Sequence, residues 1–194
     1  MSEKTILDYE TVALDTDKKA MVIIDQTVLP YETKIIELTE AQEIWDAIYL
    51  LKVRGAPAIG VAAAFGLYIL ATQIKAEDVD AFYEEFVKQK DYLNSSRPTA
   101  VNLSWALKRM DKLACRVIKE NAGKSDKDII DAVLEALKNE SVAIKEEDIA
   151  VCKAIGENGL SLVKPGDGIL THCNAGQLAT CKYGTATAPI YLGY

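Results

Sequence analysis

From Gly60 to Ala71 the chain carries no charged or strongly polar side chain on any face. At about a dozen residues the run is well short of the roughly 20 that a bilayer-crossing helix needs, so a core helix is expected and no membrane partner. Pro57 suits its first turn, because the missing proline N–H would have no partner there anyway. The helix is therefore predicted from Pro57 to about Gln73. A helix that is apolar nearly all round is buried, so the rest of the chain has to enclose it. With 194 residues, 49% hydrophobic and 26% charged, the chain has enough apolar surface for a sizeable core in one or two domains.

The elements around that helix follow from patterning. Between Leu7 and Leu38, short β-prone runs such as Met21 to Ile24 and Lys34 to Leu38 are separated by polar breaks and by Leu29-Pro30, which predicts hairpin-like strands. Thr39 with Gln42 predicts a capping box, followed by Ile44, Ala47, Ile48 and Leu51 on one helical face. Further helices are predicted at Glu77 to Lys90 and at Thr99 to Asn121, with Gly123 closing the second. A last helical stretch starts at Ser125 with Asp128 and runs through Ile129, Val133, Leu137, Ile144, Ile149 and Ile155 to Gly159. Lys164-Pro165-Gly166-Asp167 reads as a turn and as the domain boundary, dividing residues 1–163 from 164–194. Beyond it, a strand over Gly168 to Leu170 delivers Thr171, His172 and Cys173 into Asn174-Ala175-Gly176, and Gly184 to Tyr191 reads as the opening of a crossover helix. The expected class is α/β overall. An N-terminal β-hairpin and helical-bundle domain is followed by the first strand-helix unit of an incomplete, Rossmann-like domain, whose catalytic loops lie at strand ends.

Charge and cysteines exclude several classes. The formal net charge is −7, which argues against a nucleic-acid surface with its clustered Lys and Arg. Met1-Ser2-Glu3-Lys4 lacks the basic-then-apolar pattern of a signal peptide, so a cytoplasmic protein is expected. Cys115, Cys152, Cys173 and Cys181 are scattered, without a C-x-x-C pair and with a single His, so neither a metal site nor a disulfide framework is indicated. No cofactor is expected.

Three places carry chemistry. In Arg54-Gly55-Ala56-Pro57-Ala58-Ile59-Gly60, lightly covered backbone N–H groups meet a helix N-terminus and a guanidinium, an arrangement suited to phosphate. A helix start that needs Gly for its turn, beside an Arg paired with a carboxylate, fits the same residues. Ser95-Ser96-Arg97-Pro98-Thr99-Ala100-Val101-Asn102 repeats the device, with Ser96 as a cap and Pro98 in the first turn. Arg97 can grip a phosphate bidentately, or it can be a solvated side chain next to a cap. In His172-Cys173-Asn174-Ala175-Gly176 the thiol stands at a strand end. It is reactive if positive charge or helix N-termini surround it and inert if buried in apolar surroundings. His172 alternates to the other side of the strand, so no simple Cys–His dyad is expected. Cys115, Cys152 and Cys181 read as structural thiols.

Arg54 to Gly60 (RGAPAIG), Arg97 to Asn102 (RPTAVN) and Thr171 to Gly176 (THCNAG), with Asp25-Gln26-Thr27 to Pro30 upstream and Tyr183-Gly184-Thr185 downstream, resemble the S-methyl-5-thioribose-1-phosphate isomerase family in order and spacing. The resemblance covers essentially the whole chain. It implies an aldose–ketose isomerase of methionine salvage, part of methionine and hence amino-acid biosynthesis, that acts on a C1-phosphorylated pentose and works as a homodimer. Arg54, Gly55, Ala56 and Arg97 would bind the substrate phosphate, and Cys173 would be the catalytic thiol. The superfamily also holds 5-deoxyribose-1-phosphate isomerases, ribose-1,5-bisphosphate isomerases and regulatory subunits of an initiation-factor exchange factor. The family's catalytic aspartate, with a glutamine and an Asn-Lys pair, is expected beyond Tyr194, so these 194 residues are expected to be inactive alone. Arg54, Arg97 and Cys173 are expected to converge on one cleft.

Overall fold

The computed structural model describes residues 9–193. Three short strands, β1 (Val12–Asp15), β2 (Ala20–Ile24) and β3 (Ile35–Leu38), form an antiparallel meander in the order β1-β2-β3. Register pairs Val12 with Ile23 and Met21 with Leu38, and these four side chains are all buried. Five helices follow: α1 (Ala41–Tyr49), α2 (Ala56–Ala71), α3 (Val79–Ser95), α4 (Val101–Glu120) and the long α5 (Asp126–Leu160). A 3-10 turn at Gln177–Ala179 and a short helix α6 (Ala188–Gly193) complete the described chain.

The apolar helix sits where its sequence requires. Every residue of α2 from Ala58 to Ala71 is buried, and α1, α3, α4, α5, β1 and β2 all pack against it. The helices around it are one-sided instead. Leu103, Leu107, Met110, Ala114 and Val117 of α4 face the core, as do Ile129, Val133, Leu137 and Ile144 of α5. Burying a side chain the size of Phe65 or Phe82, both almost fully enclosed, contributes about 1.5–3 kcal/mol. α6 lies against α5 at two glycines. A Cβ at Gly156 would stand 2.5 Å from Leu192 Cδ1, and one at Gly159 would stand 2.5 Å from Pro189 Cγ. Pro189 is the second residue of α6, where a proline leaves no helical hydrogen bond unmade.

Five local expectations need correction. Leu51, expected on the apolar face of α1, lies beyond the Leu50 C-cap and is 40% exposed, because the helix ends before it and the chain turns left-handed there. The capping residues of α1 are one position later than Thr39 and Gln42: Glu40 is the N-cap, and the Glu43 carboxylate accepts from the backbone N–H groups of both Thr39 and Glu40. Ser96 does not start a helix but ends α3, its hydroxyl donating back to Leu93 O at 2.7 Å. Pro98 accordingly lies in the α3–α4 connection, and α4 begins at Val101, not Thr99. No strand forms over Gly168 to Leu170. A strand exists only through ladder hydrogen bonds to a neighbour, and these exposed residues pair with none of the described strands. The turn before them does form: Lys164 N–H donates to the Asp167 carboxylate and Asp167 N–H to Lys164 O. The α5 start is also as the sequence reads, Ser125 Oγ accepting from Asp128 N–H.

Candidate active site

Three pieces of chain meet at the amino end of α2. The first is its approach, Leu51 to Pro57. Here Gly55 takes φ 97 and ψ 134, a region that L side chains rarely enter. The second is the α3–α4 connection, in which Ala100 N–H closes a turn onto Arg97 O at 2.9 Å. The third is the loop from Cys173 to Thr185. Together they enclose a cleft of about 610 Å³, lined among others by Arg54, Gly55, Ala56, Arg97, Asn102 and Cys173. A second hollow of about 510 Å³ shares Arg54, Cys173 and Asn174 and adds Gln26, Pro30 and Leu178. The two meet at Arg54, Cys173 and Asn174, on either side of the thiol, and together are termed the groove.

The groove's electrostatics are one-sided. Among the described residues neither Arg54 nor Arg97 makes an ion pair or a side-chain hydrogen bond. Among those residues, no carboxylate neutralises either guanidinium. Helix starts add to the positive potential. α3 and α5 are capped by the side chains of Asp78 and Ser125, and α1 by Glu43, whereas α2 and α4 have no side-chain cap. The two uncapped amino termini are the ones whose residues line the cleft. Their first N–H groups have no helical partner and carry the positive end of the dipole.

Cys173 is exposed and holds φ 71, left-handed for a residue with a Cβ. Such a backbone state costs about 1–3 kcal/mol and is typical of functional positions. The loop behind it is firmly tied. Gln26 Nε2 donates to Leu178 O at 2.8 Å, Thr11 Oγ1 to Gln177 O at 3.2 Å, and Thr187 Oγ1 to Ala175 O at 3.0 Å. Ala179 of the 3-10 turn packs so closely on Gly55 that a Cβ there would stand 2.4 Å from Ala179 Cα. His172 is exposed and does not line the groove. Cys152 and Cys181 are buried and Cys115 half-buried; burial pushes the Cys152 thiol up to about 11 and the Cys181 thiol up further.

Sequence reasoning missed several contributors. Asp148 of α5 is one: its carboxylate accepts from Cys181 N–H at 2.7 Å and anchors the loop from behind. Burial raises its pKa, partly offset by that hydrogen bond. The readable signal was an aspartate in phase with the apolar stripe, four residues after Ile144 and four before Cys152. Leu51 and Thr180 also line the cleft, beside Asn174 and Thr185 of the motifs, and only the proximity of Leu51 and Thr180 to the motifs hinted at it.

A groove with two unpaired guanidiniums, two uncapped helix starts and a strained, exposed thiol can hold a phosphorylated small molecule beside a sulfur nucleophile or acid. The sequence is 54% identical over 183 residues to the 5-deoxyribose 1-phosphate isomerase of Petrotoga mobilis, covering 94% of this chain and 50% of that protein. It is 54% identical over 184 residues to the methylthioribose-1-phosphate isomerase of Symbiobacterium thermophilum, covering 95% and 49%. The chain thus spans about half the length of the curated relatives it matches. Among solved structures, 5-methylthioribose 1-phosphate isomerase from Pyrococcus horikoshii superposes with a TM-score of 0.80 at 37% identity, over 94% of this chain and 48% of that one. The delta subunit of translation initiation factor eIF-2B from A. fulgidus superposes with a TM-score of 0.79 at 36% identity, over 95% and 52%. The profile of the initiation factor 2 subunit family matches residues 52–190, a span that includes both arginines, the thiol and the loop between them, and the chain belongs to that family.

Proposed function

We propose that the chain forms the phosphate-binding and thiol-bearing half of an aldose–ketose isomerase that converts 5-methylthioribose 1-phosphate to the corresponding ketose 1-phosphate, a step of methionine salvage. The observation that carries this reading is the single cleft lined by Arg54, Gly55, Ala56, Arg97 and Cys173. The C1 oxygen of such a substrate is esterified, so the ring cannot open by simple hemiacetal reversal. An acid must protonate the ring oxygen while hydrogen moves from C2 to C1, which leaves an isomer with all atoms retained. Arg54, Arg97 and the N–H groups at the start of α2 hold the phosphate. Cys173 stands beside the reacting carbons and stabilises the developing charge; exclusion of water from the pocket on substrate binding would strengthen each of these contacts. The acid comes from outside these residues. 5-Deoxyribose 1-phosphate is an alternative substrate and, like the methylthio sugar, has no hydroxyl on C5; ribose 1,5-bisphosphate is a third candidate.

Residues 1–163 act as the N-terminal domain. Residues 164–194 open a second, Rossmann-like unit. The protein works as a cytoplasmic homodimer without nucleic-acid or membrane partners.

The test is direct. Calorimetric titration of the 194-residue chain with 5-methylthioribose 1-phosphate should give weak binding that Arg54→Gln or Arg97→Gln weakens by about tenfold or more, the scale of one charged hydrogen bond. No turnover is expected from this chain alone, and clear isomerisation by it would show that the acid lies within it. In a protein spanning the relatives' full length, Cys173→Ser should abolish isomerisation. A second reading, a non-catalytic regulatory subunit, is favoured by the likeness to the eIF-2B delta subunit; absence of activity on every C1-phosphorylated pentose at full length would select it.

A further inference from the structure

Leu51 is a residue in the wrong conformation for its type. It follows the last turn of α1, where Leu50 is the C-cap, and takes φ 63. This is the left-handed position that glycine or asparagine ordinarily fills, and a leucine there costs about 1–2 kcal/mol. The residue is 40% exposed, so burial returns only part of that cost beside the turn's bonds from Leu51 N–H to Ile48 O and Val53 N–H to Ala47 O. It lines the cleft three residues before Arg54. Only four described residues other than glycine have a positive φ, namely Lys19, Leu51, Cys173 and Tyr183. Two of them, Leu51 and Cys173, line this one cleft. The second exposed aliphatic group in its lining is Val101, at 77% exposure. The cleft therefore has a cationic region and, in the same turn of chain, an aliphatic side chain held out of the core at the expense of backbone strain.

We propose that Leu51 is a specificity-determining residue: it contacts the substituent on C5 of a bound pentose 1-phosphate and favours an apolar group over a hydroxyl. The proposal rests on the reading of the cleft as a pentose-1-phosphate site. With the phosphate fixed by Arg54 and the start of α2, the far end of the sugar is the part left to distinguish one pentose from another. 5-Methylthioribose, 5-deoxyribose and ribose 1-phosphates differ only there. A hydroxyl pressed against Leu51 gives up water without gaining a partner, while a methyl or methylthio group gains contact.

Dissociation constants of the three sugar phosphates test this on the wild-type chain, Leu51→Gly and Leu51→Asn. Both replacements suit a left-handed backbone, so both chains should fold. The wild type should bind the methylthio sugar at least about fivefold more tightly than ribose 1-phosphate, the effect of burying one or two carbon-sized groups. That ratio should fall towards one in both variants. In the wild-type complex the S-methyl protons should show intermolecular nuclear Overhauser contacts to the Leu51 methyls. A wild-type ratio near one, an undiminished ratio in both variants, or the absence of those contacts overturns the proposal while leaving the phosphate site standing. Failure of the wild type to bind any of the three sugars overturns the site reading itself.

Discussion

Gly55→Ala probes the joint on which the site depends. Gly55 and Gly123 share a φ of 97, but their surroundings differ. A Cβ on Gly55 would stand 2.4 Å from Ala179 Cα and 2.6 Å from both Ala179 Cβ and Ala179 O, whereas one on Gly123 meets nothing within 4 Å. Carbon atoms pack at about 3.5–4.0 Å, so the overlap at Gly55 is about an ångström, and against backbone. Ala179 cannot give way freely. Its turn is held by Ala179 N–H to Gly176 O at 3.0 Å, Thr180 N–H to Gln177 O at 2.9 Å and Gln26 Nε2 to Leu178 O at 2.8 Å. The left-handed backbone costs an alanine about 1–3 kcal/mol and the overpacking adds about 1–3 kcal/mol. Lower entropy of the unfolded chain returns about 0.4–1 kcal/mol to either variant. Gly55→Ala should therefore lose about 1–5.5 kcal/mol and Gly123→Ala only its backbone share. For a chain of this size 1 kcal/mol lowers Tm by about 2–4 °C, so the first variant should melt about 2–20 °C below wild type. Urea unfolding of the two variants side by side reads the difference. If Gly55→Ala is no less stable than Gly123→Ala, the close approach of the turn to the start of α2 is not what holds this wall of the cleft.

Asp148→Ala should cost about 1–3 kcal/mol by leaving Cys181 N–H without its acceptor, and Asp148→Asn should recover most of it, as read by urea denaturation. Because burial raises the folded pKa of Asp148, the folded state holds its proton more tightly than the unfolded chain. The stability of wild type relative to Asp148→Asn should then rise as pH is lowered from 7 towards the ordinary aspartate value of about 3.9; a difference that falls over that window would contradict the burial. Limited iodoacetamide labelling followed by peptide mass spectrometry should modify Cys173 first and Cys115 more slowly, with Cys152 and Cys181 protected until unfolding, since the last two are buried with raised pKa values. Equal labelling of all four would show that the loop opens freely. Phe65→Ala should destabilise by about 3–5 kcal/mol in thermal unfolding, as that ring is 1% exposed inside the helix that the others enclose; a loss under about 1 kcal/mol would mean that α2 is not the packing centre.

The features legible in the sequence were those written in near neighbours. The buried α2, the one-sided stripes of α4 and α5, the Ser125 cap and the Lys164–Asp167 turn all follow from residues within a few positions of each other. Local signals misled where two readings were equally good locally. Thr39 and Glu40 both offer a cap, and Glu43 settled it by bonding both backbone N–H groups. Ser96 before Pro98 looks like a helix start, but its hydroxyl finds Leu93 O behind it as readily as any N–H ahead. Asp148 was unreadable as an anchor because its partner, Cys181 N–H, is distant in the chain.

The sequence by itself determined which segments become helices, which of them lies at the centre, and that Arg54, Arg97 and Cys173 sit in turn-rich segments outside the core. Periodicity, glycine and proline act over one or two turns, so a single stretch contains all the information that those outcomes need. Only the tertiary structure decided that the α3–α4 connection and the 173–185 loop both close on the start of α2, that neither arginine forms an ion pair among the described residues, and that Leu51 and Cys173 are held left-handed in the same cleft. It also decided that Gly168 to Leu170 is no strand among the described residues. Each of these depends on what stands opposite a residue in space, and a ladder hydrogen bond, an ion pair or a shared cleft needs a partner that no local pattern of side chains can supply.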